Sequence, residues 1–210
     1  MIVMTANNSG SLVRRWYSDF PGQIGHLYAP NGKCGTCDEF PYALDNGRYC
    51  LLQGKEWDES SWLRLLDWAA AKEKKPRWAV VPDVPCDRSG TLRDWDRFVL
   101  RVEKHGFLPA MACQDGMTPT DVPSGVVAFI GGSLHWKIRN VEAFTKDCSR
   151  VHVGRVNRLK WLWKCHKAGV ESVDGTGWLR GDPLQRKRLE YYLKLSSIGM
   201  IDPQVSMFNS

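Results

Sequence analysis

Short apolar runs alternate along the chain with longer segments of helical periodicity. Seven apolar runs predict buried strands at 24–29, 42–45, 78–83, 108–114, 126–131, 151–154 and 171–174. Apolar residues occupy both alternations of these runs, which is typical of parallel strands covered on both faces. Amphipathic helices are predicted between and after the runs, at 60–72, 91–105, 136–146, 158–168 and 184–195.

The repeated order of strand and helix predicts right-handed crossovers and a parallel sheet. We therefore expect an α/β fold, a compact or incomplete (β/α)8 TIM-type barrel. Its eighth strand is expected to be degenerate or to lie in the tail near 200–208. No linker divides the 210 residues, so the chain is predicted to be one domain over 1–210. That domain includes a lead-in segment at 1–20 and a basic C-terminal helix and tail at 181–210.

A polar or glycine cluster follows each predicted strand except the first. The clusters are 45–47 (DNG), 82–84 (PDV), 114–116 (QDG), 131–133 (GGS), 154–157 (GRVN) and 174–177 (DGTG). Any one of them also fits an ordinary turn. In a TIM-type barrel, however, the carboxyl ends of all strands form one rim, and that rim carries the active site. Six clusters in succession therefore predict a site at the rim.

Charge and cysteine content limit the possible binding partners and the possible cellular compartment of the protein. The formal net charge is +6, with 29 Lys+Arg against 23 Asp+Glu, which is compatible with a nucleic-acid partner but does not establish one. Seven cysteines, an odd number, favour reduced thiols. With no membrane-length apolar run and no signal-peptide pattern, we expect a cytoplasmic protein without a membrane partner. A structural zinc at Cys34 and Cys37, with Cys50, is an alternative that the spacing does not favour, so no metal or cofactor is predicted.

The order of the rim clusters resembles the tRNA-guanine transglycosylase superfamily. It is most similar to the DpdA-type enzymes that place 7-deazaguanine bases in DNA and are often encoded by bacteriophages. The resemblance covers roughly positions 24–180, and the motifs that carry it are ALDNG, VVPDVP, ACQDG, FIGGS, VHVGRVN and SVDGTG. It implies a glycosyltransferase (a pentosyltransferase) that exchanges guanine in DNA for a 7-deazaguanine base. The implied partners are DNA and the free base, and the implied location is the host cytoplasm if a phage encodes the chain.

The resemblance also implies roles for individual residues. Asp174 is the nucleophile that forms a covalent sugar intermediate, and Gly175 and Gly177 beside it let a polynucleotide approach closely. Asp45 moves the proton at the leaving base, which requires a raised pKa. Asp83 and Gln114 hold the guanine edge. The remaining implied substrate contacts are Asn46, Gly131, Gly132, Arg155 and Asn157.

The chain departs from the family pattern in two ways, and other functions stay open. No cysteine follows Cys165, where the tRNA enzymes keep a zinc segment, and the chain is shorter than a typical barrel of about 250 residues. The same exchange on tRNA and a non-catalytic nucleic-acid-binding barrel are the alternatives. A further alternative is an unrelated barrel enzyme in which Gly131 and Gly132 cradle the phosphate of a small metabolite. A homodimer is also left open.

Overall fold

In the computed structural model, eight parallel strands form a closed barrel in chain order, from β1 to β8. The structure describes residues 1–6, 10–30, 32, 39–180 and 182–200. The strands are β1 (Ile2–Ala6), β2 (Ile24–Tyr28), β3 (Tyr42–Leu44), β4 (Ala79–Val80), β5 (Pro109–Cys113), β6 (Val127–Ile130), β7 (Val151–Val153) and β8 (Ser172–Asp174). The helices are α1 (Ser11–Asp19), α2 (Glu59–Ala70), α3 (Arg88–Lys104), α4 (Leu134–Asp147), α5 (Leu159–Lys167) and α6 (Pro183–Ser197). This confirms the predicted α/β class and the TIM-type barrel.

The N-terminal segment closes the barrel. Strand β1 pairs with β8 on one side, with Met4 opposite Asp174, and with β2 on the other. The prediction that 1–20 is a lead-in was therefore wrong, because 2–6 and 11–19 form β1 and α1. The expected eighth strand near 200–208 is not needed for closure, and of that range only Met200 lies within the described residues. The apolar start of the chain, IVM, was the signal for β1.

Two connections are shorter than in a standard barrel, which accounts for the length of the chain. Strand β5 is followed by a 3₁₀ turn at Pro119–Asp121 and no α-helix before β6. After β2, no α-helix is found in the described residues, which omit 31 and 33–38 of that connection. In the described part of the chain six α-helices accompany eight strands, so the barrel closes in fewer residues than the roughly 250 that are typical.

The interior of the barrel is filled by side chains around Trp78, which is fully buried. The indole packs edge-on against Phe129 and His152, with ring centroids 5.8 Å and 4.8 Å away. Alanines on β3 and β5, including Ala43 and Ala110, belong to the same buried cluster and leave room for this large ring. The interior is therefore a packed core with any opening confined to its ends.

The outer layer is made by the apolar faces of the helices against the strands. In α2, for example, Trp62, Leu66 and Ala69 are fully buried on the outer side of the barrel, at the spacing that the helical pattern predicts. Among the described helices, none combines the length and hydropathy that crossing a membrane requires. The predicted cytoplasmic location stays a prediction.

Candidate active site

A cavity of about 1090 Å³ opens at the carboxyl ends of the strands. Every residue that the sequence predicted for the site lines it: Asp45, Asn46, Asp83, Gln114, Gly131, Gly132, Arg155, Asn157 and Asp174. These residues come from loops after β3 to β8, so the barrel brings together positions far apart in sequence. The structure shows their proximity, and their individual roles stay predictions.

Asp83 is the centre of a buried hydrogen-bond network at one side of the cavity. Asn46 Nδ2 donates to Asp83 Oδ1 and Gln114 Nε2 donates to Asp83 Oδ2, both at 2.7 Å. The amides are held in these orientations, because Asn46 also donates to the carbonyl of Val81 and Gln114 Oε1 accepts from the backbone N–H of Cys86. Each oxygen of Asp83 thus accepts an intramolecular hydrogen bond, and the network is rigid before any ligand binds.

Two carboxyl groups in the cavity hold protons at unusually high pH. Burial raises the pKa of Asp83 to about 7, and the hydrogen bond from Asn46 opposes that rise. Burial also raises the pKa of Asp45 to about 6, with the negative charge of Asp174 adding to the effect. The backbone N–H groups of Asn46 and Gly47 favour the charged form of Asp45. Asp45 therefore has the raised pKa that the predicted proton-transfer role requires.

Asp174 is positioned from inside the barrel by a histidine. Its Oδ1 lies 3.1 Å from His152 Nε2 and accepts from the backbone N–H of Arg155 at 3.2 Å. The other ring nitrogen of His152 lies 2.8 Å from Ser172 Oγ, and its ring stacks on Phe129 with centroids 4.7 Å apart. Sequence reasoning found no partner for His152, although its central place in the VHV strand puts it on the inward face.

Lys137 is a second residue that sequence reasoning missed. It lies in the first turn of α4, lines the cavity, and is almost completely buried. Its Nζ donates a short hydrogen bond to the carbonyl of Gly154. Burial lowers the pKa of Lys137 to about 8, the charge of Arg155 lowers it further, and the charge of Asp174 acts in the opposite direction. Nothing in a helical pattern distinguishes this lysine from one on a solvated face.

The loops after β7 and β8 are locked to each other. Asn157 Oδ1 accepts from the backbone N–H of Gly177 at 2.8 Å. A Cβ at Gly175 would lie 2.5 Å from the carbonyl oxygen of Val156, and one at Gly177 would lie 2.9 Å from Asn157 Oδ1. The prediction that these glycines admit a polynucleotide was therefore wrong: they admit the neighbouring loop.

Gly131 and Gly132 present their carbonyl groups to Arg155. The Arg155 guanidinium donates to the two carbonyl oxygens at 2.8 Å and 3.0 Å. A Cβ at Gly132 would lie 2.5 Å from Asp115 Oδ2 and 2.7 Å from the ring of Trp136. The absence of a side chain at Gly132 thus allows α4 to begin close to the β6 strand end.

A metal site is not found in the described part of the chain. No group of three or more His, Cys, Asp or Glu residues is arranged there to hold an ion. The alternative zinc site at Cys34 and Cys37 lies outside the described residues, and Cys50 is a free thiol whose Sγ lies 3.5 Å from the carbonyl of Glu56. The expectation that the chain needs no metal or cofactor remains untested.

Comparison with known proteins gives structural neighbours only. No protein-family model matches the chain, and no curated protein matches it. The fold is similar to a structure described as native KDPGal, with 12% identity, a TM-score of 0.53, and 94% of this chain and 93% of that chain covered. It is also similar to a structure described as a "putative fructose-1,6-biphosphate aldolase" from Coccidioides immitis, with 11% identity, a TM-score of 0.55, and 94% and 86% covered.

These comparisons correct the expectation drawn from the motifs. The neighbours are barrels of the kind just described and not tRNA-guanine transglycosylases, and no family match supports the DpdA-type assignment. The assignment to that family was wrong, and so were the DNA base exchange, its tRNA and non-catalytic alternatives, and the glycosyltransferase class. The predicted DNA and 7-deazaguanine partners lose the basis on which they were inferred, and they remain untested, as does a homodimer. At 11–12% identity the likeness shows the fold alone.

Proposed function

We propose that the chain is a lyase of the aldolase type, which binds a small carbonyl compound at the barrel mouth and forms an imine with it through Lys137. The observation that carries the proposal is the position of Lys137: a nearly fully buried amine on the cavity wall whose pKa burial lowers to about 8. A lysine amine attacks a carbonyl only when it is unprotonated. With a pKa near 8, a substantial fraction of the amine is neutral close to physiological pH.

A proton donor and acceptor is present in the same cavity. Asp45 has a pKa of about 6, so both its protonated and its ionised forms are populated near neutral pH. Asp174, held by His152, is close enough for its charge to act on both Lys137 and Asp45. The three groups thus combine a nucleophile, an acid–base group and a fixed negative charge, the set that amine catalysis needs.

The steps balance with these groups alone. The neutral Lys137 amine attacks the carbonyl carbon, the carbonyl oxygen takes one proton from the amine and one from protonated Asp45 and leaves as water, and a protonated imine remains. The bond between the carbons α and β to the imine carbon then breaks, its electron pair moves toward the imine nitrogen, and Asp45 takes the proton of the β-hydroxyl group. Asp45 returns this proton to the enamine carbon, and water hydrolyses the protonated imine, which releases the second product and the neutral Lys137 amine and gives the remaining proton to Asp45.

The size and location of the cavity support a small substrate. Its volume of about 1090 Å³ is slightly above the roughly 300–1,000 Å³ that is usual for small-molecule sites, and the mouth of a barrel is where such sites occur. One structural neighbour is described as an aldolase, which agrees with a carbonyl substrate. The fold alone does not assign this chemistry, and the proposal rests on Lys137 and Asp45.

The proposal is tested by reductive trapping. The protein is incubated with pyruvate or with dihydroxyacetone phosphate, treated with sodium borohydride, and digested for mass spectrometry. We expect a reduced adduct on the peptide that contains Lys137, formed faster at pH 8 than at pH 6 because more of the amine is neutral.

Two variants serve as controls. Lys137→Met removes the amine while keeping a long side chain, and it should form no adduct although its circular dichroism spectrum is unchanged. Lys146→Arg changes an exposed lysine of the same helix, α4, and should be trapped like the parent protein. Adduct spread over surface lysines, or none on Lys137 with either compound, would overturn the proposed function.

A further inference from the structure

We infer that Arg155, Arg158 and Arg180 form an anion subsite at the barrel mouth that takes the phosphate group of a phosphorylated substrate. The inference deepens the proposed function, on which it rests for the identity of the reacting carbonyl. All three side chains line the same cavity as Lys137. They come from the two loops that follow β7 and β8.

The three guanidinium groups have no salt-bridge partner in the described part of the chain. Within the described ranges, none of the three forms an ion pair, whereas other arginines such as Arg48 and Arg150 do. Among the described residues, the Arg155 guanidinium donates only to the neutral carbonyl groups of Gly131 and Gly132. Unneutralised guanidinium groups facing one cavity favour an anion there, and their planar donor arrays suit the oxygens of a phosphate.

Arg155 also reaches across the mouth of the barrel. Its guanidinium carbon lies 4.8 Å from the centroid of the Tyr49 ring, which is half exposed and belongs to the turn after β3. Strands β3 and β7 lie on opposite sides of an eight-stranded barrel. Arg155 therefore covers part of the opening, where an incoming substrate meets it before reaching Lys137.

The backbone at Arg155 is held in an unusual conformation. Its φ of 57° lies in the left-handed region, which residues other than glycine rarely adopt. The conformation lets its N–H donate to Asp174 while its side chain projects over the cavity. Strain of this kind persists where the surrounding structure enforces it, and it is concentrated at binding and catalytic sites.

The loops after β7 and β8 are connected to each other, which favours a fixed spacing of the three arginine side chains. The Asn157–Gly177 hydrogen bond ties the loop that carries Arg155 and Arg158 to the loop that leads to Arg180. The loops after the seventh and eighth strands are also where TIM-type barrels frequently bind phosphate. The charge of Arg155 already acts on both Asp45 and Lys137. A phosphate bound here would therefore place the rest of a small substrate beside the proposed amine.

The test measures binding without any imine. Glycerol 3-phosphate carries the phosphate but no carbonyl group, so it cannot react with Lys137, and glycerol lacks the phosphate. Calorimetric titrations at constant ionic strength compare glycerol 3-phosphate, inorganic phosphate and glycerol. The variants are Arg158→Gln and Arg180→Gln, and Arg139→Gln on the exposed face of α4 is the matched control.

We expect saturable binding of glycerol 3-phosphate at one site, competition by inorganic phosphate, and no binding of glycerol. Loss of one guanidinium contact should weaken binding about tenfold in Arg158→Gln and in Arg180→Gln. Arg139→Gln should bind like the parent protein. The subsite is refuted if glycerol 3-phosphate binds no better than glycerol, or if Arg139→Gln loses as much affinity as the other two. Either result leaves trapping at Lys137 unaffected, so failure of the subsite and failure of the imine are distinguishable.

Discussion

The raised pKa of Asp83 makes a quantitative prediction about stability and pH. The folded protein holds this proton with a pKa of about 7, against an ordinary value of 3.8. Because the folded state binds the proton more tightly than the unfolded state does, lowering the pH through 7 stabilises the fold. The stabilisation accumulates as the pH falls toward 3.8 and is absent well above pH 7.

The magnitude follows from linkage. Between pH 8 and pH 6.5, Asp83 should increase the free energy of unfolding by about 1 kcal/mol, and Asp45, with a pKa of about 6, should add a smaller increase. Burial also lowers the pKa of the Met1 amine and of His166, so other groups contribute to the pH dependence of the parent protein. Comparing the parent with a variant that lacks only the Asp83 carboxyl group cancels the contribution of these other groups.

The assay is urea unfolding followed by tryptophan fluorescence at both pH values, for the parent and for Asp83→Asn. The variant has no titrating group at 83, so the pH-dependent gain should shrink by about 1 kcal/mol, whatever its absolute stability. Asp96→Asn, at an exposed position of α3, should keep the full gain. Equal gains in the parent and in Asp83→Asn between pH 8 and pH 6.5 would refute the reasoning. A larger gain in Asp83→Asn than in the parent would also refute it, because the difference would have the wrong sign.

Two further predictions concern packing. Trp78→Ala should lower the free energy of unfolding by about 3–5 kcal/mol, because it empties the fully buried centre of the barrel. Trp136→Ala, at a half-buried position on α4, should lower it by less in the same urea titration. Gly175→Ala should lower it by about 1–3 kcal/mol, since the added Cβ meets the Val156 carbonyl oxygen at 2.5 Å, and thermal unfolding equal to that of the parent would contradict the close packing of the two loops.

The sequence predicted most of the fold because parallel barrels repeat one local pattern. Seven apolar runs corresponded to seven strands, and each polar cluster marked a strand end at the same rim. Strand β1 was missed because only its first three residues, IVM, are strongly apolar, and its last two already belong to the segment TANNSG, which made the start of the chain resemble a flexible lead-in. The pairing of the first and last strands that closes the barrel is a long-range contact, and local periodicity in the sequence does not predict it.

The site was predictable only as far as backbone position determines it. Asp174 ends β8, Asp45 and Gln114 directly follow β3 and β5, and Asp83 lies three residues beyond the end of β4. The convergence of these residues therefore follows from topology. Lys137 lies on a helix, and only the tertiary structure shows that its amine bends over Gly154 into the cavity. Shared residue types at a rim do not determine the reaction, which is why the motif resemblance led to the wrong family.

The pairing of β1 with β8 has a consequence for synthesis. Ile2 contacts Ser172 across almost the whole chain, so β1 leaves the ribosome long before its second partner exists. Until then one edge of the growing sheet has unpaired N–H and C=O groups, and such edges invite intermolecular association. We therefore expect folding yield to depend on chaperones or low temperature more strongly than equilibrium stability would suggest. The rate of barrel closure should be limited by synthesis of the last third of the polypeptide.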